Sequence, residues 1–173
     1  QGWTPVILRF CGISEFDNSE RKAFSKETAI IELSSSEETE LQSSLKIFSE
    51  KHGSFGGLIH LHPAGKSSSE TKLEDGANSF LKQAFLSAKN IYPFLHESAQ
   101  SGNMRSHFLA VARLDGELGM GSGEFNAPSS GLSGLIKTAG VEWPDVFCRF
   151  LDLQPELKAT NAVNCILQEL QDP

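Results

Sequence analysis

Five short apolar runs are separated along this chain by stretches of mostly helical period, and that alternation leaves few architectures open. The runs are Pro5–Phe10, Thr28–Leu33, Phe55–His62, His107–Leu114 and Val146–Leu153. Strand-like runs alternating with helices are the pattern of βαβ units, whose right-handed crossovers lay helices on both faces of a parallel sheet. The expected fold class is α/β, with a mostly parallel sheet of about five strands. The polar connection 14–27 is the irregular step, because a regular unit would place a full crossover helix there.

The helices follow from spacing and punctuation. Ser35 stands three residues before Glu38, a capping-box spacing, and Leu41, Leu45 and Phe48 then share one face until Gly53 ends the helix. Residues 64–72 form a loop. A long helix begins near Leu73, buries Phe80, Leu81, Ala84, Phe85, Ala88, Ile91 and Leu95, is kinked or split by Pro93, and closes at Gly102. After a glycine-rich loop, Asp115–Pro128, Ser129 or Ser130 caps a helix with inner face Leu132, Leu135, Ile136, Ala139 and Trp143, which Pro144 stops. Ala162, Val163, Ile166, Leu167 and Leu170 form the inner stripe of a terminal helix. With no repeat and no long linker, residues 1–173 are expected to form one domain.

Charge and composition exclude several partners. With 15 basic against 22 acidic residues, net charge −7, the chain lacks the basic surface that phosphate backbones need. No apolar run reaches the roughly 18 to 20 residues that span a bilayer, and Gln1-Gly2-Trp3-Thr4-Pro5 is no leader peptide, so a soluble, cytoplasmic protein is expected. Cys11, Cys148 and Cys165 are odd in number and far apart, which fits reduced thiols packed as small hydrophobes.

Each candidate site has a plainer structural reading. After the first strand the chain offers only Cys11-Gly12-Ile13-Ser14-Glu15, a poor cradle for a pyrophosphate. The loop Gly116–Gly123 has four glycines but neither common dinucleotide spacing, since Glu124 stands where Gly-x-Gly-x-x-Gly needs glycine. It is therefore expected to be structural. Reduction by a Tyr-x-x-x-Lys pair is excluded, because the single tyrosine, Tyr92, is followed four residues on by His96. His60 and His62 alternate along a strand and would make half a metal site if a third ligand came near; strand-end packing is the plainer reading. Gly131-Leu132-Ser133-Gly134 falls one residue short of a nucleophile elbow, and the acidic run Glu37-Glu38-Thr39-Glu40 suits the first turn of a helix. No catalytic, cofactor-binding or metal-ligating residue is assigned.

Four segments carry a family resemblance: Gly57-Leu58-Ile59-His60-Leu61; Arg113-Leu114-Asp115-Gly116-Glu117-Leu118-Gly119; Gly131–Thr138 with Glu142-Trp143-Pro144; and Cys148-Arg149-Phe150-Leu151-Asp152-Leu153. Over about residues 55 to 153 they resemble the ketoreductase region of type I polyketide synthases and polyunsaturated fatty acid synthases, in its non-catalytic half. The resemblance implies a truncated Rossmann-like three-layer fold that holds no cofactor and supports a catalytic subdomain, which binds NADPH and reduces a β-ketoacyl thioester. Implied partners are that subdomain and other domains of the same synthase. A start at Gln1 and an end at Asp172-Pro173 point to a piece excised from a longer chain, and its role predicts an exposed apolar patch. The rival readings are a small NAD(P)-binding oxidoreductase using the Gly116–Gly123 loop with Tyr92 or a histidine as acid, and a stand-alone docking or regulatory domain.

Overall fold

A computed structural model describes residues 4–10, 28–62, 70–101, 105–121 and 127–172. The expectations about Cys11, the connection 14–27, Gly102 and Ser122–Glu124 lie outside the described residues. The chain divides into two compact units, Gln1–Gly53 and Ser54–Pro173.

In the first unit, β1 (Val6–Phe10) pairs in parallel with β2 (Ala29–Leu33), bringing Arg9 of one strand to Glu32 of the other at 3.4 Å. Helix α1 (Glu38–His52) packs on β2, with Leu41 and Leu45 on its buried face. Its start differs from the capping box expected at Ser35 and Glu38. Glu37 is the N-cap and makes no side-chain cap bond. Instead Glu40, one turn inside the helix, accepts hydrogen bonds from the amides and hydroxyls of Ser34 and Ser35, at 2.6–2.9 Å. Gly53 ends the helix at φ 92°, donating to the Ser49 carbonyl. Glycine adopts that left-handed backbone without a Cβ clash.

The second unit contains β3 (Gly57–Leu61), α2 (Glu70–Gln100), β4 (Ser106–Ala112), α3 (Ala127–Glu142), β5 (Val146–Asp152) and α4 (Ala159–Gln171). Its strands form one parallel sheet in the order β3-β4-β5. Every residue of the central strand, β4, is buried, as a strand covered on both faces requires. Leu109 and Val111 pack with Leu153, Ala162, Ile166 and Leu170 on the α4 side. On the opposite face Phe108 meets Trp143, which stacks on Tyr92 of α2. Helices thus cover both faces of this sheet.

Several expectations change. The five strands are divided between sheets of two and three rather than joined in one. Helix α2 starts at Glu70, inside the stretch expected to be loop, and runs through Pro93 without splitting. Because α3 starts at Ala127, Ser129 and Ser130 lie within its first turn rather than at the cap, and Pro128 takes an early position where its missing N–H costs nothing. Phe85, Val163 and Leu167 were expected to face inward and are exposed. On α4, Cys165 faces the core with Ala162 and Ile166, so the buried stripe is rotated from the one expected.

Candidate functional site

The most elaborated local structure is the turn following β4. Asp115 and Asp152, the latter closing β5, fold the backbone around their carboxylates. Asp152 Oδ1 accepts the Leu114 amide at 2.8 Å, and its Oδ2 accepts those of Gly116 and Leu118, each at 2.9 Å. Asp115 Oδ1 accepts the amides of Glu117 (2.8 Å) and Gly119 (2.9 Å), and its Oδ2 that of Gly121 (2.9 Å). These amides, Gly119 foremost, hold the Asp115 carboxyl down to about 2. Gly116 and Gly119 both adopt φ 78°, and a Cβ on Gly116 would sit 2.7 Å from Gln154 Cγ. Here the glycines serve turn geometry and close approach. Arg113 fastens the far side, donating from Nη1 to the carbonyls of Gln154 (3.0 Å) and Pro155 (2.8 Å).

Charge decides what this loop can accept. A phosphate cradle needs convergent free N–H groups. In this turn the amides of Gly116, Leu118, Gly119 and Gly121 already donate to the chain's own carboxylates, and an approaching phosphate would meet two negative charges. The described part of the loop does not fit a dinucleotide phosphate. Sequence reasoning singled out the glycines and passed over Asp152; the available signal was a carboxylate at the end of the fifth strand.

The remaining candidates are placed as follows. His60 and His62 do share a face, with ring centroids 5.9 Å apart, and among the described residues no group of three metal-binding side chains forms. Burial and then the charge of His62 push His60 down to about 4, and burial lowers His62, whose ring meets the edge of Phe80. Burial, then Arg105, lowers His107. Tyr92 stacks on Trp143 at 4.6 Å, and His96 Nδ1 lies 3.0 Å from Asp145 Oδ2, which also accepts from Gln100. These contacts join α2 to the α3–β5 turn. Ser133 donates its hydroxyl to the Ser130 carbonyl inside α3, away from any strand-to-helix elbow. Cys148 and Cys165 are free and partly buried, and burial raises Cys148 to about 11, far from a reactive thiolate. An apolar groove of about 370 Å³ opens between α2 and α3, lined by Leu81, Lys82, Phe85, Gly131 and Leu135.

This architecture is that of an α/β protein built on parallel strands, and it is similar in fold to several dehydrogenases and reductases. Solved structures similar to it include an SCOR enzyme from Clostridium thermocellum (TM-score 0.63, 14% identity, covering 97% of this chain and 76% of that one). Another is an alcohol dehydrogenase from Thermococcus sibiricus complexed with 5-hydroxy-NADP (TM-score 0.62, 14% identity, 95% and 80%). A third is an NADH-dependent reductase complexed with NAD (TM-score 0.59, 17% identity, 87% and 67%). At such identities the likeness concerns the fold alone. In sequence, the chain is 32% identical over 128 residues to a polyunsaturated fatty acid synthase subunit of Thraustochytrium sp., a match over 70% of this chain that spans 4% of the synthase polypeptide. No protein-family model matches. Among the described residues, no helix is long and apolar enough to cross a membrane.

Proposed function

We propose that this chain is the non-catalytic, structural subdomain of a ketoreductase region in a multidomain synthase, supporting by packing a catalytic subdomain that binds NADPH. The similarity to a polyunsaturated fatty acid synthase carries this reading. The turn at Asp115 supports it, because the loop best supplied with glycines spends its amides on internal carboxylates. On this reading the chain is no enzyme by itself and binds no cofactor. The reaction it serves is reduction of a β-ketoacyl thioester, its partners are the catalytic subdomain and other domains of the same synthase, and its compartment is the cytoplasm.

Calorimetry with NADPH, followed by co-expression with a ketoreductase catalytic subdomain, tests the assignment. The expected result is no saturable heat from the chain alone and a stable complex with the catalytic subdomain. Saturable micromolar binding overturns the reading. It would favour instead a small NAD(P)-binding oxidoreductase, for which the fold shared with an NAD-bound reductase speaks. In that case bulky replacements of Gly119 and Gly121 abolish dinucleotide binding; on the structural reading they alter stability only.

A further inference from the structure

We propose that the trough between α4 and β3 seats an amphipathic helix supplied by the synthase polypeptide outside this chain, an inference that rests on the subdomain reading above. The floor of the trough is β3. Successive side chains of a strand point to opposite faces, and the register of β3 on β4 sorts them. Leu58 and His60 lie beside Phe108 and Ala110, on the face that α2 and α3 cover, whereas Ile59 and Leu61 lie beside Leu109 and Val111, on the face of α4. Helix α4 packs on Leu109 and Val111 of β4 and on Leu151 of β5, and it leaves Ile59 39% exposed and Leu61 65% exposed. Parallel strands are ordinarily covered on both faces, so an aliphatic pair in water on β3 marks a place for cover.

The wall is α4, whose rotation follows from its contacts. Glu169 and Asp172 pair with Arg149 at 3.3 and 2.8 Å, which turns their flank toward β5. Ala162, Ile166 and Leu170 point into the core. Val163 and Leu167, one turn apart, therefore lie on the flank toward β3, where they are 52% and 48% exposed. The helix runs antiparallel to the strands, since Arg105, just before β4, reaches the Asp172 carbonyl while Ala162 packs with Val111 and Leu153 at the other end. Four residues of helix advance about 6 Å and two of strand about 6.7 Å. The pair Val163 and Leu167 thus runs alongside the pair Leu61 and Ile59.

Chemistry and shape select the occupant. The single charged side chain of α4, Glu169, is turned to Arg149, and the exposed polar positions are Thr160, Asn161, Asn164, Gln168 and Gln171. In a chain with 22 acidic residues and net charge −7, an exposed helix face without charge suits the centre of an interface, where charged residues are depleted. A row of aliphatic side chains on a strand beside a row on a helix takes a second helix with an apolar stripe, lying over β3 as α4 lies over β4 and β5. The similar synthase supplies the source, since the match spans 4% of that polypeptide and the rest lies outside it.

Hydroxyl-radical footprinting read by mass spectrometry, on the chain alone and on the intact synthase polypeptide that contains it, tests the proposal. Alone, Ile59, Leu61, Val163 and Leu167 should be oxidised at rates independent of chain concentration. In the intact polypeptide those rates should fall about fivefold or more, because a seated helix excludes water from all four. Leu167→Asp should restore oxidation of Ile59 and Leu61 in the intact polypeptide while leaving the near-ultraviolet circular dichroism of the chain alone unchanged. Four sites that stay oxidised in the intact polypeptide overturn the proposal, as does protection that Leu167→Asp does not lift. Protection already present in the chain alone overturns it too: if it grows with concentration the cover is a second copy, and if it does not the cover is the chain itself. The subdomain reading fails separately, by saturable NADPH binding to the chain alone, whatever the footprint shows.

Discussion

Two carboxylate-centred turns, one in each unit, solve the same problem by different routes. At the start of α1, Glu40 gathers the amides and hydroxyls of Ser34 and Ser35, six and five residues back in sequence. After β4, Asp115 does the same for Glu117, Gly119 and Gly121, but the turn also needs Asp152 from the end of another strand. Both Glu40 and Asp115 are held down to about 2, Glu40 chiefly by the Ser35 hydroxyl and Asp115 chiefly by the Gly119 amide. A local turn can form as soon as its helix does, whereas the second exists only once β4 and β5 are paired. Local hydrogen bonding therefore stabilises the first, and the sheet is a precondition for the second.

Acid should act most strongly and act in stages. His60 is harder to protonate folded, at about 4, than unfolded, at 6.5, so the unfolded chain binds more protons in that window. Stability is full above pH 6.5 and falls as pH drops toward 4, by at most about 3 kcal/mol. Glu40 and Asp115 contribute above their unfolded values of 4.5 and 3.8, and that contribution is lost as pH falls toward 2. Thermal unfolding across this range should show both stages, and His60→Phe should shrink the upper one, leaving the share of His62 and His107, which burial also lowers, and leave the lower one unchanged.

Removing Asp152 should separate the two turns. Asp152→Ala strips three close amide hydrogen bonds from the 114–118 segment and should cost about 2 kcal/mol in denaturant unfolding. Amide exchange should accelerate at Gly116 and Leu118 and stay unchanged in α1. Uniform acceleration across both units would break the comparison. Gly116→Ala should cost about 1 to 2 kcal/mol, because its φ of 78° disfavours alanine and the new methyl meets Gln154. Glu40→Gln is expected to have the smallest effect, a fraying of the first turn of α1 visible as faster exchange at Leu41, since the carboxylate is replaced by an amide that still accepts.

Much of the secondary structure was legible beforehand because it depends on neighbours in sequence. The five strands lie close to their apolar runs, and Gly53 ends α1 where a glycine after a helical period should. The misreadings fall where a local rule met a tertiary contact. Pro93 was a sound reason to expect a break, yet Ile91 and Leu95 on either side are buried, and that packing carries α2 past it. Phe85 shares the helical period of the core stripe and still faces out, beside a groove formed by α2 and α3 together.

The candidate site divides along the same line. Four glycines after a strand are visible in any reading of the sequence, and their irregular spacing already argued against a dinucleotide fingerprint. That the amides of Gly119 and Gly121 point at Asp115 was within reach, since those partners lie four and six residues apart. That Asp152 completes the turn was not, because 34 to 38 residues separate it from the amides it accepts. Hydrophobic period, breakers and net charge are properties of the chain, and they set the α/β pattern and the poverty of phosphate-binding features. Which carboxylate fills which amide, and which apolar side chain is left in water, depends on the pairing of β4 with β5 and of α2 with α3, and only the folded structure makes those pairings.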